Sequence, residues 1–98
     1  MISRLFIRHF KYLVLLSALI LSACAGVPVQ EMSNARQAVD AARKAGAETR
    51  ASEELKAAEA LLQSAEQALE EGDYKKARRD AEAAQSRAVV AQDKSLNE

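Results

Sequence analysis

The sequence predicts an all-α chain, and three observations carry that expectation. Past residue 28 it is crowded with Ala, Glu, Arg, Lys, Gln and Leu, the strongest helix formers. Its apolar residues recur at alternating steps of three and four, the repeat of helices that pack lengthwise. Its one proline, Pro28, precedes that pattern, and glycines stand where the phase of the pattern breaks. The expected architecture is a three-helix antiparallel bundle, or a helical hairpin plus a shorter first helix, with alanine-rich, coiled-coil-like seams.

The N-terminal element is built unlike the rest. Arg4, Arg8 and Lys11 give it a positive start, and no acidic residue precedes Glu31. Residues 12–21, Tyr-Leu-Val-Leu-Leu-Ser-Ala-Leu-Ile-Leu, form an apolar run of signal-peptide length. A membrane-crossing helix needs about 20 apolar residues to cover roughly 30 Å of hydrocarbon. Reaching that length would draw Arg8, His9 and Lys11 into the span, so an uncleaved signal anchor is the weaker alternative. The run closes on Leu21-Ser22-Ala23-Cys24, which holds the only cysteine. These four residues resemble the lipobox of bacterial lipoprotein precursors. The resemblance implies that residues 1–23 are removed and that Cys24 carries covalent lipid. That lipid is a thioether diacylglycerol with, in Gram-negative bacteria, an acyl chain such as palmitate on the new amine. A lone cysteine can also be a buried apolar residue, a reactive thiol or half of an intermolecular disulfide. Ala23 before it and Gly26 and Pro28 after it place Cys24 outside any packed element, which disfavours burial. One acyl chain holds a membrane only marginally, whereas two or three anchor firmly. Ala25, rather than aspartate, follows the cysteine. By the sorting rule of such lipoproteins this implies the outer membrane, with the helical domain facing the periplasm. Residues 24–30 are then a lipidated tether.

The helical domain is expected over residues 31–95, with helices at about 31–45, 52–71 and 73–95. Met32, Ala35, Val39 and Ala42 make the first seam. Leu55, Ala58, Leu62, Ala65 and Leu69 make the second, flanked by Leu61 and Ala68. Tyr74, Ala77, Ala81, Ala84, Ala88 and Ala91 make the third. Extending the first seam lands on Gly46, Thr49, Glu53 and Lys56, and extending the second lands on Gly72, Lys76 and Arg79. Charged side chains would enter the seam of a continuous rod, so the chain is expected to fold back at each glycine. Gly46 suits a left-handed C-terminal cap after Arg43 and Lys44. Ser52 is the expected N-cap of the second helix and Asp73 that of the third. Glu70, Glu71, Lys75 and Lys76 oppose the helix dipoles on either side of Gly72, and pairing across the turn would relieve them. The larger apolar side chains are few, so the core supports only marginal stability, and self-association is a natural supplement. Val89-Val90 and Leu61-Leu62 mark where to look, with a widened core stripe as the alternative.

Signal removal changes the chemistry available. Three of the 14 basic residues leave while all 14 acidic ones stay, so the mature chain is mildly acidic. It also loses His9, both phenylalanines and Tyr12, leaving Tyr74 as its one aromatic residue. Acid–base and nucleophilic catalysis recruit histidine, a cysteine or an activated hydroxyl beside a base. Zinc and related metals want imidazole and thiolate. No catalytic residue, metal site or cofactor beyond the lipid on Cys24 is expected, and the chain reads as no enzyme. Glycines 26, 46 and 72 are too dispersed for a phosphate loop. Lys75, Arg78 and Arg79 share one helical face and make a weak candidate for an anionic-ligand patch. Asp80 and Glu82 interleave with them, so a solvated surface is the stronger reading.

Residues 72–77, Gly-Asp-Tyr-Lys-Lys-Ala, with Ala84 seven residues on, look like the inter-helix turn of a tetratricopeptide repeat. Only half a repeat is covered and no second copy occurs, so a peptide groove is not implied. Over roughly residues 28–93 the chain resembles short bacterial lipoproteins with a helical domain of unknown function (the domain-of-unknown-function 4398 type). The resemblance rests on the lipobox and on residues 57–78, from Ala57-Ala58-Glu59-Ala60-Leu61-Leu62 to Glu70-Glu71-Gly72-Asp73-Tyr74-Lys75-Lys76-Ala77-Arg78. In that family the module can precede an OmpA-like peptidoglycan-binding domain, which is not expected past Asn97-Glu98. The implied function is a lipid-anchored structural or adaptor module of the cell envelope with a protein partner. The alternative is a peptidoglycan-associated or murein-lipoprotein-like wall-linking protein. For covalent linkage that type uses a C-terminal lysine, where this sequence has Glu98. No nucleic-acid partner is expected.

Overall fold

The computed structural model describes residues 2–97, and the side chains of residues 4–16 and 26–97. Among these residues the chain is all-helical, with α1 (Ile2–Ala25), α2 (Val29–Lys44), α3 (Ala47–Arg50), α4 (Ser52–Glu70) and α5 (Tyr74–Leu96). The described chain is elongated, 70 × 30 × 14 Å. Helices α2, α4 and α5 pack along one another, while α1 approaches none of them among the described residues.

Alanine builds the core. Val39 and Ala42 of α2 meet Leu55 and Ala58 of α4 and Ala88 and Ala91 of α5, with Ala47 and Ala51 in the same cluster. Met32 and Ala35 of α2 meet Ala65 of α4 and Ala81 and Ala84 of α5 in a second cluster. Rising numbers on α2 thus match falling numbers on α4 and rising numbers on α5. Helices α2 and α5 run one way and α4 the other. A face of Cβ atoms alone lets helices approach closely, and the core alanines of α5 are fully buried.

The first seam is buried throughout, and so is the third from Ala77 to Ala91. In the second, Leu55, Ala58 and Ala65 are buried while Leu62 and Leu69 are half-buried against the core. Leu61 and Leu62 both pack on it, so this pair widens the core stripe. Val89 and Val90 remain over 40% exposed. Tyr74, expected to head the third seam, is 39% exposed instead. Helical side chains lean toward the N-terminus, so a residue in the first turn of α5 leans past the end of the core.

The chain reverses at both expected glycines, which hold φ of +93° at Gly46 and +79° at Gly72. At Gly72 the Asp73 amide donates to the Ala68 carbonyl at 2.9 Å and the Gly72 amide to Leu69 at 3.1 Å. These two bonds are the Schellman pair that satisfies the last carbonyls of a helix. Asp73 then caps α5, its side chain accepting from the Lys76 amide at 3.2 Å. Ser52 does not cap α4. Residues 47–50 form an extra helical turn, α3, and the N-cap falls on Ala51, which makes no side-chain bond. Ala47 and Ala51 are buried at this corner, and their small size lets two helical segments meet there. Pro28, fully buried, stands just before α2 as its N-cap.

Candidate functional site

Among the described residues of the helical unit, three places are candidates for a site. The first is the end nearest Cys24. The Cys24 side chain, with those of Leu21, Ser22 and Ala23, lies outside the described residues. The chain turns through residues 26–28 and enters α2 at Val29. A Cβ placed on Gly26 would meet Tyr74 Cδ2 at 3.9 Å, so this turn runs beside the Tyr74 ring. Lys75 and Arg79 are exposed nearby on α5. Arg78 pairs with Glu31 at 3.4 Å, linking α5 to the first turn of α2. The three expected patch residues therefore share a face by spacing, but Arg78 is drawn toward α2.

The second place is a polar triangle between α4 and α5. Lys76 Nζ donates to Asp80 Oδ2 at 2.7 Å and to Ser64 Oγ at 2.8 Å. Ser64 Oγ donates to the same Asp80 oxygen at 2.7 Å. The Lys76 ammonium thus goes to Asp80 and Ser64 rather than to Glu70 or Glu71. Hydrogen bonds from Lys76 and then Ser64 hold the Asp80 carboxyl below its ordinary range, against a smaller opposing effect of burial. A serine beside a lysine can serve nucleophilic chemistry only if the amine accepts the hydroxyl proton. Here the ammonium donates to both partners, so the triangle fastens two helices. Sequence reasoning saw Asp80 interleaved with the basic residues of α5 but missed Ser64. The available signal was a hydroxyl flanking the α4 seam opposite an i,i+4 ion pair.

The third place is a shallow cleft of about 490 Å³ at the other end, lined by Arg50, Glu54, Val90, Asp93, Lys94 and Asn97. Three of its charged side chains, Arg50, Glu54 and Lys94, are engaged within the fold. Arg50 Nη1 donates to the Ser95 carbonyl at 3.0 Å, capping the last turn of α5 with a positive charge. Lys94 pairs with Glu54, whose carboxyl is held low by that bond first and by a hydrogen bond to its own backbone next. Ser95 is fully buried, and its hydroxyl bonds back to the Ala91 carbonyl at 2.8 Å. Sequence reasoning missed Ser95 because a serine four residues past Ala91 continues the seam only if its hydroxyl is satisfied internally. Among the described residues, no buried side-chain nitrogen or oxygen lacks a partner and no metal-binding cluster forms.

The family model described as Domain of unknown function (DUF4398) matches residues 30–98, more than two thirds of the chain. The chain belongs to the DUF4398 family. No curated protein and no solved structure matches it. The DUF4398 match begins at Gln30, one residue into α2, and spans α3, α4 and α5. It leaves out α1 and the turn at residues 26–28. All the interactions described above between α2, α4 and α5 lie inside the matched region.

Proposed function

We propose that this DUF4398 chain is a lipid-anchored, non-enzymatic lipoprotein of the cell envelope, acting as a structural or adaptor helical module. Its signal peptide is residues 1–23, its lipid is carried on Cys24, and its α2–α4–α5 unit is a three-helix antiparallel bundle. The observation that carries this reading is the separateness of α1. Leu5, Phe6, Ile7, Phe10 and residues 12–16 of α1 are each over half exposed, apart from every other helix, and the apolar run ends at the cysteine. An apolar segment that contributes nothing to the core suits a targeting peptide better than a packed helix. Among the described residues, no helix is long and apolar enough to cross a membrane.

The adaptor role is supported by how the polar groups are used. The inter-helix charges pair Arg36 with Glu66, Arg43 with Glu59 and Glu31 with Arg78, each at 3.3–3.4 Å. Such exposed pairs contribute little stability but set which helix faces which. Ala25 after the cysteine favours the outer membrane, with the bundle facing the periplasm. A flotation experiment on envelope fractions tests the anchor. Wild-type protein is expected to float with outer-membrane vesicles and the Cys24→Ser variant to stay behind; flotation of both would count against lipid attachment there. Affinity capture of the lipidated protein should then recover a specific envelope protein. Capture of none, with retention on isolated peptidoglycan, would move the assignment to wall binding.

A further inference from the structure

We infer that the Gly72-turn end of the helical unit rests on the bilayer surface itself, with Tyr74 and Val29 entering the boundary between headgroups and acyl chains. The inference rests on the lipid anchor proposed above and names the surface that this anchor presses against it.

Chain length fixes which end is near the membrane. From Cys24 to the buried Pro28 there are four residue steps, which reach at most about 14 Å when extended. Pro28 caps α2, and the Glu31–Arg78 pair sets the start of α2 level with the start of α5. The turn at residues 26–28, the first turn of α2 and the first turn of α5 therefore lie at one end. The 23 residues of α5 rise about 34 Å to the opposite end, beyond the reach of so short a tether.

What the near end presents matches a bilayer boundary. Val29 is 69% exposed and Tyr74 39% exposed, the tyrosine ring lying beside the Gly26 turn. A tyrosine has an apolar body and a polar tip, the combination that settles at membrane–water interfaces. Lys75, also exposed, has a stem long enough to keep its charge in the headgroup layer. Glu70, Glu71 and Asp73 are exposed around the same turn, so this end has no positive excess. Recognition is therefore by the aromatic and aliphatic side chains and does not require anionic lipid. Two side chains alone bind weakly, but a short tether supplies an effective concentration on the order of millimolar, which makes the contact intramolecular.

The chain contains no tryptophan, so single reporters can be placed at will. Mature lipidated protein carrying Tyr74→Trp, Val29→Trp or Val90→Trp is incorporated into phosphatidylcholine vesicles whose acyl chains are brominated. Emission from positions 74 and 29 is expected to be quenched and blue-shifted, while position 90 keeps the emission it shows in unbrominated vesicles. Unquenched emission at 74 and 29, equal quenching at all three positions, or quenching that appears only with anionic lipid overturns the inference. Intact mass of the same samples separates the two proposals. Lipid on Cys24 with unquenched reporters defeats the surface contact alone, whereas lack of lipid on Cys24 defeats the anchor and the contact together.

Discussion

Ala84 shows what a core residue does in this chain. It is fully buried among Met32, Ala35, Ala65 and Ala81, and its methyl group sets how closely the helices approach. Leucine at that position has no room, and Ala84→Leu is expected to lower the unfolding free energy by about 1–3 kcal/mol in urea titration. Leucine at exposed Glu82, Glu82→Leu, should by contrast fall within about 0.5 kcal/mol of wild type. Gly72 isolates a different cost. A Cβ there would meet nothing within 4 Å, so the penalty of Gly72→Ala is purely one of backbone conformation at φ +79°. That variant should lose about 1–2 kcal/mol, read from the same titration. Both positions were legible in the sequence: Ala84 from its place in a three-and-four repeat, and Gly72 from the break in phase. Ser52 was misread, because the chain spends residues 47–50 on an extra turn and brings Ala51, not the serine, to the cap position.

Helices α4 and α5 are fastened at two levels, by the Ser64–Lys76–Asp80 triangle and by the Glu54–Lys94 pair. Apart from the i,i+4 Lys76–Asp80 pair, these contacts join residues 12 to 40 positions apart, which a local pattern does not announce. The fold-back itself was legible, because a rod would have carried Lys76 and Arg79 into the α4 seam. Ser64→Cys with Asp80→Cys, in a Cys24→Ser background, should close an intramolecular disulfide under mild oxidation, visible as faster non-reducing gel migration. Crosslinked dimers alone would instead indicate extended chains. Acid dependence follows from the two depressed carboxyls. Asp80 has an ordinary value of 3.8 and Glu54 of 4.5, and each sits lower in the folded chain. Unfolded chains then bind protons more readily than folded ones. The stabilisation is complete above these ordinary values and is lost as pH falls through the lower folded ones. Thermal melts should therefore shift downward below about pH 4.5. Asp80→Asn should be less stable by about 1 kcal/mol at neutral pH, and its melts should fall less on acidification.

At the scale of the whole molecule, two units differ in how they were encoded. In α2–α5 a periodic pattern, two glycines and a capping aspartate point to the same arrangement, so the seams could be read directly. Tyr74 was the exception, since it continues the repeat in number while leaning past the last layer in space. For α1 the proposed targeting role comes from composition alone, while the described apolar side chains of this helix are exposed and it packs on no other helix among the described residues. Removing residues 1–23 should leave the unfolding midpoint and the helicity per residue of α2–α5 unchanged in circular dichroism, because α1 adds no contact to their core among the described residues. The most direct test of the anchored-module account is the intact mass of the protein extracted from bacterial envelopes. It should match a chain beginning at Cys24 with a diacylglycerol thioether and an amide-linked acyl chain. An unmodified mass, or one that retains residues 1–23, would contradict the account.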